Sequence, residues 1–248
     1  MARQQAAKKK RNVIDFPTQV ENAFVPDVRK KFTLHDLRRL TPLTENQKLA
    51  FNQWADYDNT VLAMLGFAGT GKTALSCYLA LREILDERTP YEKLYIIKST
   101  VECRPLGSLP GDVADKVNPY KEPYRHIFDE LFPFKKSFDN MESIGMVEFM
   151  PTAYLRGLSF NNCIVIFEEC QDNTFTEGET VLTRLGNNAR MIINGDFEQN
   201  DIGNKSGYRD IIPILRRTAG TAFVNFGLED IVRSGWVKNY LIAKYKKN

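Results

Sequence analysis

Histidine is nearly missing from this chain of 248 residues, which has only His35 and His126. Neither has a cysteine or second histidine at zinc-site spacing, and no Gly-x-Ser-x-Gly turn accompanies them. Zinc chemistry and a histidine-based triad are therefore not expected. Cysteine is scarce as well. Cys77, Cys103, Cys163 and Cys170 stand far apart with no Cys-x-x-Cys pair, which points to a reduced, cytoplasmic setting. Cys163 and Cys170 read as small core residues. No apolar run approaches the ~20 residues of a membrane span, so no membrane partner is expected. The basic start (Lys8, Lys9, Lys10, Arg11) leads into Asn-Val-Ile-Asp-Phe-Pro rather than an apolar stretch, unlike a secretory signal.

What is present suits a folded globular protein. Apolar residues make up 43% and charged residues 26%, enough for a packed core and incompatible with wholesale disorder. The net charge is only +3, yet residues 1–11 alone hold five basic side chains and no acid. The body is thus slightly acidic, and the positive excess sits in a tail. Lys244, Lys246 and Lys247 form a second cluster. Such tails attract nucleic acid without sequence preference, or simply stay solvated.

Residues 1–40 read as a basic extension, with one helix possible over 32–40. From residue 41 to 248 the pattern is that of a single domain. Thr44 caps a helix through Ala55, with Gln47 at its third position. Strands are expected at 60–65, 94–98, 145–150, 162–167, 189–194 and 221–226. Helices are expected at 73–87, 121–132, 177–185, 208–217 and from 237 onward. Residues 99–120 read as a long loop broken by Pro105, Pro110 and Pro119. Strands alternating with helices indicate an α/β fold with a mostly parallel sheet flanked by helices.

Gly66-Phe67-Ala68-Gly69-Thr70-Gly71-Lys72-Thr73 fits Gly-x-x-x-x-Gly-Lys-[Ser/Thr] in full, between a predicted strand and a predicted helix. The glycines let backbone amides close around phosphate, and the helix N-terminus adds positive potential. Lys72 supplies a charge for the β- and γ-phosphates, and the Thr73 hydroxyl is a Mg²⁺ ligand. Glu168 and Glu169 end a buried apolar strand, where ligands collect in open α/β sheets. The first can hold the metal and the second can polarise water. Gln199, in Gly195-Asp196-Phe-Glu-Gln199, can sense the γ-phosphate. Gln47 can read an adenine edge through its donor and acceptor.

Together these segments resemble the PhoH family of P-loop ATPases, relatives of the superfamily 1 helicase core. The resemblance rests on Leu43-Thr-Glu-Asn-Gln47, the P-loop, Leu106-Gly-Ser-Leu-Pro-Gly-Asp112 with Lys116 and Tyr120, and Tyr154-Leu-Arg156-Gly157. It continues through Phe167-Glu-Glu-Cys-Gln171, Leu182-Thr-Arg184-Leu-Gly186, the Gly195–Asp201 segment and Ile231-Val-Arg233-Ser234. The metal motif has Glu168 and Cys170 where the family has Asp and Ala, and in a separate segment Arg156-Gly157 is followed by Leu158-Ser159 where the family has Arg-Thr. The resemblance implies a RecA-like ATPase core, ATP and Mg²⁺ as ligands, RNA or single-stranded DNA as partner, and a ring-forming tendency.

One lobe of this kind leaves the γ-phosphate facing solvent, so a homo-oligomeric ring, a hexamer by expectation, is predicted to supply an arginine in trans. Arg233, Arg184 and Arg156 are the candidates. Lys98, Arg104, Lys116, Tyr120 and Arg156 are the candidate nucleic-acid contacts, with core packing of Tyr120 as the other reading. Two alternatives to a nucleic-acid-directed ATPase remain. One is a small-molecule kinase, and the other is an ATP-assembled scaffold with little catalysis.

Overall fold

The computed structural model describes residues 32–99, 113–155, 157–196 and 198–245, and of residues 113–116 it describes the backbone alone. Thr44 caps α1 (Glu45–Ala55), accepting a 3.2 Å hydrogen bond from the Gln47 amide. Strand β1 (Val61–Gly66) runs into α2 (Lys72–Ile84), and β2 (Lys93–Lys98) follows. Next come α3 (Val113–Leu131), α4 (Ser137–Ser143), β3 (Val147–Pro151) and β4 (Cys163–Glu168). The chain ends with α5 (Phe175–Leu182), β5 (Ala189–Gly195), α6 (Tyr208–Arg217), β6 (Thr221–Phe226) and α7 (Gly235–Tyr245).

All strand pairs are parallel, in the order β3-β2-β4-β5-β1-β6. Successive side chains of a strand point to opposite faces. Leu62, Met64, Ile164, Ile166 and Ile192 therefore enter one core with α1 to α4. Ala63, Leu65, Val165, Phe167, Met191 and Ile193 enter a second core with α5 and α6. This double covering is why β4 and β5 read as unbroken apolar runs. It gives the α/β fold of a RecA-like P-loop NTPase.

Three expectations are corrected. No helix spans residues 32–40; a single 3-10 turn, Leu34–Asp36, replaces it. Phe32 and Leu37 instead enter the first core, and Arg38 N donates to Leu131 O. Side-chain burial, not helix propensity, fixes this segment. The loop expected over 99–120 ends early, because α3 begins at Val113 and contains Pro119 and Pro123. Its Tyr124 and Phe128 are almost wholly buried, so packing outweighs the two amide donors that proline removes. Helix α4 was not anticipated; its buried Phe138 and Met141 lie three residues apart on the face toward α3.

Candidate active site

Parallel strands bring all their carboxyl ends to one edge of the sheet. At the end of β1, Gly66 has φ +132°, and a Cβ there would lie 2.0 Å from Phe226 O, so only glycine fits. Gly71, at φ 83°, turns the chain into α2. Between them the loop is tied down through its carbonyls. Gln47 Nε2 donates to Thr70 O at 2.9 Å, Val232 N to Gly69 O at 3.0 Å, and Thr70 Oγ1 to Phe67 O at 3.0 Å. Lys72 Nζ donates to Gly66 O at 2.7 Å and Phe67 O at 2.8 Å. Burial lowers the Lys72 pKa, and Asp196, Glu169 and Glu168 oppose that shift.

The acids come from the neighbouring strands. Because β5 lies between β1 and β4, the tip of β5 separates the P-loop from Glu168 and fills the gap with polar groups. Glu168 is 2% exposed. Its Oε1 accepts from Asn194 Nδ2 at 2.7 Å and its Oε2 from Thr73 Oγ1 at 3.3 Å. Asn194 also donates to Ser76 Oγ on α2. Burial, with Glu169 next to it, pushes the Glu168 pKa up to about 7, against the pull of Asn194, Lys98 and Lys72. Asp196 is also buried and its pKa raised, chiefly by desolvation. Its Oδ1 accepts from Glu198 N, while Oδ2 has no hydrogen-bond partner among the described residues.

Glu169 occupies the left-handed region, with φ 48° and ψ 51°, which is uncommon away from glycine. That backbone turns its side chain away from the run of β4. Gln171, 1% exposed, holds it there: Nε2 donates to Glu169 Oε2 at 2.7 Å, and Oε1 accepts from Asp196 N at 3.0 Å. The sequence shows Gln171 as part of a motif but does not reveal this role. The signal is a glutamine two residues past the acid, a spacing that allows the amide to fold back on the carboxylate.

These groups line one cleft of about 700 Å³. Lys72, Thr73, Glu168, Glu169 and Gln199 all face it, together with P-loop residues 68–71. Phe67 bonds through its backbone at the edge of this group. Helix α3 also lines the cleft, with Pro123, His126, Ile127 and Glu130, a contribution the sequence reading missed. The spacing i, i+3, i+4, i+7 is one face of a helix. It could have been recognised once α3 was known to lie against the site.

The other predicted residues are distributed as follows. Gln47 is buried and spends its amide on Leu43 N and Thr70 O, holding the loop rather than facing the cleft. Arg233 lines the cleft of its own chain, with its side chain against Gly69. Arg184 lies before the start of β5, at the far end of the sheet, where Nη1 donates to Leu158 O at 2.6 Å. Lys98 ends β2 in register with Glu168 and is half-buried at the site's edge. Tyr120 is half-buried and packs against the first core. Arg125 is held by Asp139 and Glu122. Arg104, Arg156 and the Lys116 side chain lie outside the described residues.

No helix among the described residues is long and apolar enough to cross a membrane. The family of PhoH-like proteins matches residues 39–245. A PhoH-like protein of Synechocystis is 37% identical over 190 residues, covering 74% of this chain and 56% of the relative. Protein PhoH of Escherichia coli K12 is 35% identical over 182 residues, covering 72% of this chain and 51% of that one. A PhoH-like protein of Bacillus subtilis is 33% identical over 193 residues, covering 77% and 60%. The chain therefore spans little more than half the length of these relatives. The motifs at the sheet edge and the match across nearly the whole described chain agree: this chain belongs to the PhoH-like proteins, a family of P-loop NTPases.

Proposed function

We propose that this protein binds ATP with Mg²⁺, hydrolyses it, and works as a homo-oligomer on RNA or single-stranded DNA. The observation that carries the hydrolytic reading is the meeting of Thr73 and Glu168, 95 residues apart, at 3.3 Å beside the P-loop lysine. The donor set fits a magnesium ion. It offers a hydroxyl, a buried carboxylate whose ionisation is suppressed, and Asp196 Oδ2, all hard oxygens. No cluster of three or more metal-binding side chains occurs among the described residues. That accords with magnesium, which is usually held by one or two carboxylates together with nucleotide phosphates and water. When bound, Mg²⁺ would neutralise charge on the phosphates.

The chain's own groups divide the remaining work. The P-loop amides and Lys72 hold the phosphates, with Lys72 exchanging its carbonyl partners for phosphate oxygens. Glu169, fixed by Gln171, accepts the proton of the attacking water at a carboxylate oxygen. Gln199, whose backbone amide bonds to Asp196 O, orients water or the γ-phosphate. Arg233 sits on its own P-loop, so Arg184 and Arg156 are the candidates for an arginine given to a neighbouring subunit.

The test is phosphate release from ATP without any acceptor, measured with and without single-stranded RNA, alongside native mass. Glu169→Gln should keep nucleotide binding and lower kcat by ~10²–10⁴-fold. Transfer of phosphate only to an added small molecule would replace hydrolysis with kinase chemistry. Full turnover in the Glu169→Gln variant would remove Glu169 as the base.

A further inference from the structure

The chain has two tryptophans in opposite surroundings. Trp54 is fully buried, whereas Trp236 on α7 is 75% exposed. Trp236 lies nearly parallel to Tyr240, itself 57% exposed, with ring centroids 5.6 Å apart and an interplanar angle of 9°. Lys244 extends the same exposed face at the next i+4 step. None of the eleven residues of α7 is buried. A paired aromatic surface kept in water on a helix that adds no buried side chain to the core needs a reason outside the core.

Charge selects the occupant. Residues 231–248 contain Arg233, Lys238, Lys244, Lys246 and Lys247 and no aspartate or glutamate. Flat rings in a segment whose own charges are all positive suit a polyanion that carries flat rings of its own, with bases stacking and phosphates pairing. Docking of a second copy through an apolar face would not call for a segment free of acids.

The helix also leans on the nucleotide site. The Tyr245 ring lies 4.9 Å from that of Phe67, and Lys244 Nζ donates to Tyr245 Oη at 3.2 Å. Phe67 O is one of the two carbonyls that hold Lys72. Any shift of α7 thus reaches the loop that grips phosphate.

We propose that the Trp236–Tyr240–Lys244 stripe of α7 is the docking surface for single-stranded nucleic acid, and that its occupancy is transmitted to the P-loop through Tyr245 and Phe67. This rests on the nucleic-acid reading above. It places the contact on α7 rather than on Tyr120, which packs against the core.

The test uses the full chain with fluorescently labelled oligo(U) and oligo(dT), read by anisotropy across a salt series. The Trp236→Ala/Tyr240→Ala double variant should bind roughly tenfold or more weakly, as expected for losing stacked bases. Lys244→Gln should reduce the salt slope by about one. The double variant should keep ATP affinity, unstimulated ATP hydrolysis and native mass, and Trp236→Phe/Tyr240→Phe should restore binding. Oligonucleotide should quench Trp236 emission in the wild type, and its stimulation of ATP hydrolysis should vanish in the double variant. Wild-type binding that the double variant retains in full would overturn the α7 surface and leave the nucleic-acid reading standing. A wild type that binds neither oligonucleotide at any salt would overturn both. Loss of oligomeric mass with unchanged oligonucleotide affinity would assign the face to a second copy and overturn the proposal.

Discussion

Two buried charges sit at opposite ends of the same sheet, Arg190 at the start of β5 and Glu168 at the end of β4. They are 3% and 2% exposed. Arg190 meets most of its partners within the chain, although its Nη1 has no hydrogen-bond partner among the described residues. Its Nε and Nη2 donate to the carbonyls of Trp54, Asp56 and Asn59 at 2.8 to 3.1 Å, and its guanidinium lies 3.7 Å from the Trp54 ring centre. A cation meeting the carbonyl end of α1 and an aromatic face is stabilised by fixed partners. Glu168 faces Thr73 and Asn194 but also a second acid, and its proton is held up to about pH 7. A buried anion beside another anion is relieved by added positive charge. The amino edge of the sheet is therefore a structural joint closed largely by the chain's own carbonyls and an aromatic face, whereas the carboxyl edge gathers two adjacent acids beside the P-loop lysine, the arrangement on which the proposed cation and phosphate site rests.

The comparison breaks most visibly at the structural end. Arg190→Ala would leave buried carbonyls without a donor and should cost ~3–5 kcal/mol of stability. A chain of this size would then melt roughly 10 °C lower. Its affinity for ATP, measured on the folded fraction by calorimetry, should stay unchanged. A large loss of ATP affinity would show that the two edges are coupled.

Glu168→Gln sharpens the contrast with the opposite sign. The folded state holds the Glu168 proton more tightly than the unfolded chain. The side chain therefore costs nothing below the ordinary carboxylate range. Its cost grows as pH rises from about 4.5 to about 7 and is complete above that. Relative to wild type, the variant should gain up to ~3 kcal/mol between pH 4 and pH 8 without ligand, and should lose Mg²⁺-dependent ATP binding. Denaturant melts at both pH values test this, and a difference independent of pH would show that Glu168 does not titrate as a buried acid.

The smallest effect should follow from Gln171→Leu, which removes the bonds to Glu169 and Asp196 while keeping the volume. A fall in kcat of about tenfold, ~1.4 kcal/mol, with KM within about twofold would mark a positioning role. Equal loss in both parameters would point to a disturbed P-loop instead.

Much of the frame was legible because its signals are local. Thr44 as the cap of α1, the limits of α6 and β6, and the glycines at 66, 69 and 71 follow from spacing and backbone chemistry. The double-sided burial of β4 follows from its unbroken apolar run. Other features depend on partners remote in sequence. The absence of a helix at 32–40 depends on Phe32 seeking the core beside Phe132, 5.5 Å between ring centres. The early start of α3 depends on aromatic packing that outweighs two prolines. The bonds of the Gln47 amide to Leu43 and Thr70, and the seating of the Arg233 side chain against Gly69 of its own P-loop, have no local signal either.

The sequence alone determined which residues are the candidates for the chemistry: the Gly-Lys-Thr turn, the paired glutamates at a strand end and the basic, acid-free tail, because short motifs encode backbone shape and charge directly. The tertiary structure alone decided their company. Strand order placed β5 between the P-loop and Glu168, set Gln171 across Glu169 and Asp196, and laid α7 against Phe67, because contacts between segments tens of residues apart are fixed by how two cores fill on either side of one sheet.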